Sequence, residues 1–309
     1  MNQKLAIIDL GTNTFHLLLA EPKAAGYTII HREKVAVKLG MGGINQDVIQ
    51  SDAIGRALAV LKDFKTTIEQ SGISTIYAFG TSAIRQARNG TEVTEQIQNA
   101  TGIKVNIISG DDEADFIYQG VRSSMDLGTD PVLIMDIGGG SVEFIIGNRD
   151  IIIWKKSIEI GAQRLLEKFH SHDPIPTNEI QELTRYFEAT LADVFQALHH
   201  HQPKTLVGSS GTFDTLSEIH CLRQGIFKKT DDAETPLTLE SFYKIYKELI
   251  TKNRAERLRI PGMIEMRVDM IVVACCLIRF MLENHSFQNI RVSSYSLKEG
   301  VLATLTQQN

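Results

Sequence analysis

The chain has 309 residues, and its 43% hydrophobic content is enough to fill the cores of two domains. A formal net charge of -5 and a pI of about 6.0 exclude a general nucleic-acid-binding protein, so an anionic ligand would need a local basic surface. Three cysteines, Cys221, Cys275 and Cys276, are too few for a disulfide framework and fit a reducing compartment. No targeting segment is apparent, and the apolar run Ile271–Ile278 is too short to span a membrane. We therefore expect a soluble, cytoplasmic protein.

The first part of the chain predicts strands alternating with helices. Strands are expected at Lys4–Asp9, Phe15–Ala20 and Tyr27–Val37. A helix capped by Ser51 should follow, with an apolar stripe formed by Ile54, Leu58, Leu61, Phe64 and Ile68. The next expected elements are a strand at Ile76–Phe79, helices near Ala83–Ala87 and Thr91–Ala100, and a strand at Val105–Ile108. This order is typical of an α/β fold in which helices pack on a mixed sheet.

A linker is expected at Ser123–Pro131, because the strand–turn–strand opening starts again after it. We therefore predict two domains, at residues 1–125 and 126–309. Further elements are expected in the second domain: strands at Ile151–Ser157, Thr205–Val207 and Asn289–Val292, and long helices near Asn178–Leu198.

Two glycine-containing turns are the most informative feature of the chain. Each follows an apolar run that ends in an acid, Asp9 in the first copy and Asp136 in the second, and each leads into another apolar run. Glycine leaves backbone N–H groups unshielded and hydroxyls add donors, so such a turn can hold a phosphate. A single turn of this kind is also what any hairpin prefers, but two copies predict two clamps on one polyphosphate. The candidate phosphate-binding residues are Gly11, Thr12, Asn13, Thr14, Gly138, Gly139, Gly140 and Ser141.

Acids near these turns are candidate metal ligands. Asp9 and Asp136 end apolar strands, and Glu143 shares a strand face with Ser141, so that Asp136, Glu143 and Asp9 could bind Mg²⁺ or another divalent cation. The alternatives are turn aspartates that bond their own backbone and an outward-facing Glu143.

A second group of polar residues lies at two strand-to-helix turns. Asp111, Asp112 and Glu113 begin a helix after Ser109, and one of them could act as a general base, although helix capping by Ser109 and Asp112 also explains acids there. Arg85 lies one turn into another helix, where it could bind a phosphate or be an ordinary surface arginine.

Three remaining segments are more ambiguous. The first is a glycine-rich turn at Gly208, Ser209, Ser210, Gly211 and Thr212. Its backbone could also approach a phosphate, but alone the segment is typical of a loop and a helix cap. The stretch Lys244–Arg267 could supply a basic channel for a polyanion or form a solvated helix face, with Arg254, Arg257, Arg259 and Arg267 as the candidates. The consecutive histidines His199–His201 are interpreted as a solvated helix end and not as metal ligands.

Taken together, these segments resemble the exopolyphosphatase and guanosine pentaphosphate phosphohydrolase family of the sugar kinase, Hsp70 and actin superfamily. The matching segments are Asp9–His16, Gly80–Asn89, Ile108–Ala114, Asp136–Glu143, Gly208–Thr212, Ile260–Met263, Arg267–Asp269 and Leu297–Leu302. The chain departs from the family pattern at Asp112, where the family more often has glutamate, and at Thr12 and Thr14, which replace serines but keep the hydroxyls.

The resemblance implies two actin-like (ribonuclease H-like) α/β domains with the active site in the cleft between them. It implies that Glu113 is the catalytic glutamate, that Arg85 binds phosphate, and that Asp136 and Glu143 are metal-associated. It also implies that the helical C-terminal domains of longer members are absent, and it allows a homodimer.

The function expected from this resemblance is exopolyphosphatase activity, in which the terminal phosphoanhydride of inorganic polyphosphate is hydrolysed to orthophosphate with Mg²⁺. One alternative substrate is guanosine pentaphosphate (pppGpp), cleaved at its 5'-phosphate. Alternatives of another class are an actin-like kinase and a nucleotide-dependent switch.

Overall fold

A computed structural model describes residues 3–23, 26–229 and 232–307 of the chain. The chain divides into two compact units. The first unit comprises Met1–Gly120 together with Leu297–Asn309, and the second comprises Val121–Ser296.

The first unit is a mixed sheet with helices. Its strands are β1 (Leu5–Leu10), β2 (Thr14–Lys23), β3 (Gly26–Ala36), β4 (Thr75–Gly80) and β5 (Val105–Ile107). Its helices are α1 (Ser51–Gln70), α2 (Ser82–Gln86), α3 (Gly90–Thr101), α4 (Gly110–Ser124, up to Gly120) and the C-terminal helix α12 (Leu297–Gln307), with a short 3-10 helix at Ile44–Gln46. The sheet order is β3-β2-β1-β4-β5, in which β1 pairs antiparallel with β2 and parallel with β4.

Helix α1 shows how the apolar pattern forms the first core. Its buried positions are Ala53, Ala57, Leu61, Phe64 and Ile68, which recur every three or four residues and pack on the sheet. Each large side chain buried in this way contributes about 1.5–3 kcal/mol. The predicted stripe is partly right, since Ile54 and Leu58 are only half-buried. Ser51 is the first helical residue and not the cap, because Gln50 occupies the N-cap position without a side-chain hydrogen bond.

The second unit contains a six-stranded sheet. Its strands are β6 (Val132–Ile137), β7 (Val142–Gly147), β8 (Ile152–Ile158), β9 (Thr205–Ser209), β10 (Glu234–Pro236) and β11 (Asn289–Ser293). Its helices are α5 (Ala162–Phe169), α6 (Thr177–Thr190), α7 (Ala192–His201), α8 (Ser210–Gln224), α9 (Leu239–Thr251), α10 (Arg254–Arg257) and α11 (Met270–Asn284). The buried face of the sheet packs with α11, most of whose residues are inaccessible to solvent.

The two sheets repeat one topology. The second has the order β10-β11-β9-β6-β7-β8, in which β6 pairs antiparallel with β7 and parallel with β9, just as β1 pairs with β2 and β4. Only the short edge strand β10 extends the second sheet beyond the five-strand pattern of the first. The predicted α/β class is confirmed, with a mixed sheet and helices in each of the two units.

The C-terminal helix α12 packs on β1 and β3 of the first unit. The backbone of Gly300 lies so close to α4 that an added Cβ would be 1.7 Å from the Phe116 carbonyl oxygen. The C-terminal helix therefore belongs to the first unit. The predicted ranges 1–125 and 126–309 differ from this, because they place residues 297–309 in the second domain. The reason is that packing of a terminal helix on a distant sheet leaves no local signal in the sequence.

Among the described residues, none of the helices is both long enough and apolar enough to cross a membrane. Cys221, Cys275 and Cys276 are buried free thiols, and burial raises the pKa of Cys276 to about 12.

Candidate functional site

The first turn is held by backbone hydrogen bonds from both sides. The Gly11 N–H donates to the Thr14 carbonyl at 3.2 Å, and a Cβ on Gly11 would lie 2.8 Å from that oxygen. Behind the turn, Lys38 donates to the Asn13 carbonyl at 2.9 Å and Gly40 to the Thr12 carbonyl at 2.9 Å. Because C=O and N–H point in opposite directions across a trans peptide, the N–H groups of Asn13 and Thr14 are directed away from this backing segment. They form a shallow array of donors suited to an anion.

The second turn has the same construction. The Gly138 N–H donates to the Ser141 carbonyl at 3.1 Å, and a Cβ on Gly138 would lie 3.0 Å from that oxygen.

The first residues of α5 and the preceding Gly161 back this turn. They donate to three successive carbonyls: Ala162 to Gly138 at 2.9 Å, Gln163 to Gly139 at 2.8 Å and Gly161 to Gly140 at 3.0 Å. By the same peptide geometry, the N–H groups of Gly139, Gly140 and Ser141 point away from α5. Three parallel donors at one turn are what a phosphate oxygen can use.

Acidic residues of the second hairpin face one another across two strands. Asp136 on β6 and Glu143 on β7 are register partners on the same sheet face, and only 4% and 1% of their surfaces are exposed. The Ser296 hydroxyl donates to Asp136 Oδ2 at 2.6 Å, and the Ser157 hydroxyl donates to Glu143 Oε1 at 2.7 Å. The alternative of an outward-facing Glu143 is therefore excluded.

This acidic pair fits a divalent cation. Directly opposite side chains in an antiparallel pair have Cβ atoms about 5 Å apart, so two buried carboxylates repel unless a positive charge lies between them. Within the described residues there is no cluster of three or more histidines, cysteines or acids that could enclose a metal. Mg²⁺ commonly uses one or two carboxylates and takes its other ligands from water and substrate phosphate.

Asp9 occupies the corresponding position in the first hairpin, but its surroundings differ. Its register partners are His16 on β2 and Phe79 on β4, and Asp9 is only half-buried. The residue opposite Asp9 is therefore a histidine where Asp136 faces a glutamate. The assignment of Asp9 to metal binding stays a prediction.

Glu113 and Arg85 form a buried ion pair inside the first unit. The Arg85 guanidinium donates to Glu113 Oε2 at 2.7 Å and to the Ile108 carbonyl at 3.3 Å, and the two side chains are 13% and 10% exposed. Arg85 is therefore not an ordinary surface arginine. A short charge-assisted bond of this kind fixes the orientation of the carboxylate.

The acids before Glu113 have a different role. The Ser109 hydroxyl donates to Asp112 Oδ2 at 2.7 Å, and the Asp112 N–H donates back to the Ser109 hydroxyl at 3.0 Å. The predicted capping pair is thus present, and it accounts for Asp112 without any part in catalysis. Of these acids, Glu113 is the buried one with a guanidinium partner.

The third glycine-rich segment is a sharp strand-to-helix junction. Gly208 and Ser209 end β9, and Ser210 begins α8 with a φ of 74°. A Cβ on Gly208 would lie 2.1 Å from the Phe213 ring, and one on Gly211 would lie 2.2 Å from the Arg267 guanidinium. Packing explains both glycines, so binding of phosphate by Gly208, Ser209, Ser210, Gly211 and Thr212 gains no support here and stays a prediction.

The predicted basic channel requires a correction. Arg257 is fully buried and donates to the Asp173 carboxylate and to the Val268 carbonyl. Arg254 is paired with Glu265 and Asp269. These guanidinium groups are used to hold α10 and its neighbours together, so residues 254–267 do not present one basic surface.

The other two arginines of that stretch differ from each other. Arg259 is exposed. Arg267 is buried, and desolvation lowers the pKa of its guanidinium. The carboxylates of Asp214 and Asp136 act in the opposite direction and raise that pKa. Arg267 therefore belongs to the polar region around Asp136 and not to an exposed channel.

The histidine prediction agrees with the structure, because His199–His201 form the last turn of α7, where His199 and His200 are exposed. Sequence reasoning missed Ser157, Ser296 and Asp214. Ser157 could have been found only from the register of β7 with β8, and Ser296 only from the folded chain.

The Ppx/GppA phosphatase family matches residues 18–309. The chain belongs to this family. An exopolyphosphatase from Cytophaga hutchinsonii is 41% identical, and its crystal structure superposes with a TM-score of 0.96, covering 99% of this chain and 98% of that one. A Ppx/GppA member from Aquifex aeolicus is 26% identical with a TM-score of 0.79, covering 99% and 98% of the two chains.

A curated relative of this Ppx/GppA chain is longer. It is the guanosine-5'-triphosphate,3'-diphosphate pyrophosphatase of Pseudoalteromonas translucida (strain TAC 125), 29% identical over 300 residues. The match covers 97% of this chain and 59% of that relative.

Proposed function

We propose that this Ppx/GppA protein is an exopolyphosphatase, which hydrolyses the terminal phosphoanhydride of inorganic polyphosphate and releases orthophosphate. The observation that carries the proposal is the buried Glu113 carboxylate, held by Arg85 at 2.7 Å at the start of α4. Hydrolysis needs a group that orients and deprotonates water, and a fixed carboxylate can do both. Family membership and the similarity to the Cytophaga hutchinsonii exopolyphosphatase support the same assignment.

In the proposed mechanism, the N–H groups of the Gly11–Thr14 turn and the Arg85 guanidinium bind oxygens of the terminal phosphoryl group, and each glycine turn is proposed to bind phosphate oxygens of the substrate. Glu113 accepts a proton from a water molecule as the water oxygen forms a bond to phosphorus. The bond between phosphorus and the bridging oxygen breaks, and the shortened chain leaves with the electron pair. Asp136 and Glu143 would hold Mg²⁺, and the cation would supply positive charge for the phosphate oxygens.

A second substrate, pppGpp, is supported by one observation, the similarity to a relative named for guanosine-5'-triphosphate,3'-diphosphate hydrolysis. Both substrates end in a phosphoanhydride. Polyphosphate is preferred here because the Cytophaga hutchinsonii protein named as an exopolyphosphatase is more similar in sequence and covers both chains almost completely.

The proposal is tested by incubating the protein with polyphosphate and Mg²⁺ in the absence of any phosphoryl acceptor. Orthophosphate release is expected, with a higher kcat/KM than for pppGpp, and EDTA should abolish it. If neither substrate releases orthophosphate, the hydrolase assignment is overturned in favour of a kinase. Light scattering that increases with ATP would favour a filament-forming protein or a nucleotide-dependent switch. A higher kcat/KM on pppGpp would reverse the substrate order. Sedimentation in the same buffer measures whether the protein is a homodimer.

A further inference from the structure

Two hydroxyl groups contact the carboxylates of the acidic pair in the second unit. Ser296 Oγ lies 2.6 Å from Asp136 Oδ2, and Ser157 Oγ lies 2.7 Å from Glu143 Oε1. Both distances are at the short end for a hydroxyl donating to a carboxylate, which indicates charge-assisted hydrogen bonds. Each acid therefore has one oxygen engaged by a serine from a neighbouring element.

The two serines are themselves held in place. Ser157 is the register partner of Glu143, so β-sheet pairing sets its position on the same face. Ser296 follows a segment tied at Tyr295, whose carbonyl accepts hydrogen bonds from Ser293 at 2.7 Å and Ser209 at 3.2 Å. The donors are therefore fixed by the backbone before any cation binds.

The type of donor distinguishes these acids from Glu113. Glu113 receives a direct hydrogen bond from a guanidinium, whereas the hydroxyls that donate to Glu143 and Asp136 are neutral; the buried Arg267 guanidinium acts on Asp136 as well. A hydroxyl donor orients a carboxylate without adding a positive charge of its own. Such partners fix the geometry of metal ligands and typically change metal affinity by about 10–100-fold.

We propose that Ser157 and Ser296 are positioning residues for the cation: their hydroxyls orient Glu143 and Asp136 so that both carboxylates can bind one divalent metal. This inference rests on the proposed assignment of Asp136 and Glu143 as metal ligands.

The test is a titration of the whole protein with Mn²⁺, followed by electron paramagnetic resonance, with and without inorganic phosphate. Ser157→Ala and Ser296→Ala should each weaken Mn²⁺ binding by about tenfold or more, and Ser157→Thr and Ser296→Thr, which keep the hydroxyl, should restore it. Ser217→Ala is the control for loss of a serine hydrogen bond, because Ser217 donates to the Pro236 carbonyl at 2.8 Å and is more deeply buried than Ser157 and Ser296. The control should lower Tm at least as much as the two test variants and leave Mn²⁺ affinity unchanged.

The outcomes separate the inference from the assignment beneath it. If the unmodified protein binds Mn²⁺ and the folded alanine variants bind it equally well, the positioning role is wrong while the metal site stands. If Ser217→Ala weakens binding as much as the other two, the effect is general destabilisation and the inference fails. Absence of Mn²⁺ binding by the unmodified protein overturns both the inference and the metal assignment.

Discussion

The two hairpins of this protein share a backbone and differ in chemistry. In both, the first glycine donates to a carbonyl three residues later, at 3.2 Å in one and 3.1 Å in the other. Across the strands, however, Asp9 faces His16, whereas Asp136 faces Glu143. The duplicated backbone supplies a turn of N–H donors twice, but a pair of facing carboxylates is present only in the second hairpin. Similar turns therefore do not imply similar ligands.

The units also differ in how their key acids are partnered. In the first, Glu113 is bound by a guanidinium, and in the second, serine hydroxyls donate to Asp136 and Glu143, with the Arg267 guanidinium also acting on Asp136. We proposed water activation for the first unit and cation binding for the second, and the following changes test that division.

Glu113→Gln should have the largest effect, a fall in kcat of about a hundredfold or more, because the amide cannot accept the proton from water. The protein should stay folded, since glutamine keeps an oxygen that can accept from Arg85. Phosphate release at saturating polyphosphate measures the loss. The Mg²⁺ concentration that gives half-maximal activity should not change. A variant with full activity would remove Glu113 from the mechanism.

Glu143→Gln should raise the Mg²⁺ concentration that gives half-maximal activity by about tenfold or more, because one of two anionic ligands becomes neutral. The matched change in the first hairpin is His16→Gln, which should shift that concentration by less than about twofold. Activity against Mg²⁺ concentration measures both. Equal shifts in the two variants would contradict an asymmetric metal site.

Arg85→Ala should raise the KM for polyphosphate by about tenfold, because charge-assisted bonds to the phosphate are lost. Removing Arg85 also leaves Glu113 buried without its guanidinium, so Tm should fall by several degrees. Calorimetry of the variant checks this, and an unchanged Tm would mean that solvent replaces the guanidinium.

Gly11→Ala and Gly138→Ala should raise KM by about fivefold, since small displacements of binding groups are costly. The first should be the more damaging, because its Cβ would lie 2.8 Å from a carbonyl oxygen compared with 3.0 Å in the second. Gly55→Ala is the control: it lies in α1 with open space around it, and it should stabilise the helix by about 0.5–1 kcal/mol without changing KM. An unaltered KM in both turn variants would remove the turns from phosphate binding.

The smallest effect is a pH dependence of stability that belongs to the second unit. Burial, reinforced by Arg257, lowers the pKa of His170, and the nearby acids that oppose this are Asp173, Glu179 and Asp269. Burial also lowers the pKa of His220. Such histidines bind protons more readily in the unfolded chain than in the folded protein. Their contribution to the free energy of unfolding is therefore present above pH 6.5 and is lost as the pH falls. The loss is at most about 1.4 kcal/mol per histidine and pH unit.

We expect Tm to decrease between pH 7.5 and 5.5, and His170→Leu should make the decrease smaller. The part that remains is assigned to His220, whose pKa is also lowered by burial. An equally steep decrease in the variant, measured by calorimetry, would show that His170 is not the group responsible.

Features that depend on neighbouring residues could be predicted from the amino-acid sequence. The strand–turn–strand segments, the capping pair Ser109 and Asp112, and the helical spacing of Leu61, Phe64 and Ile68 all follow from local geometry. The acids and glycines of both turns could be named in advance for the same reason.

Partners that come from distant parts of the chain could be identified only once the chain was folded. The arginines of residues 254–267 read as a basic surface, yet Arg257 is buried against Asp173 and Arg267 lies near Asp136. Strand register placed Ser157 beside Glu143, and packing of the C-terminal segment brought Ser296 to Asp136. Long-range pairing depends on how whole elements pack, and a pattern of neighbouring residues does not encode it.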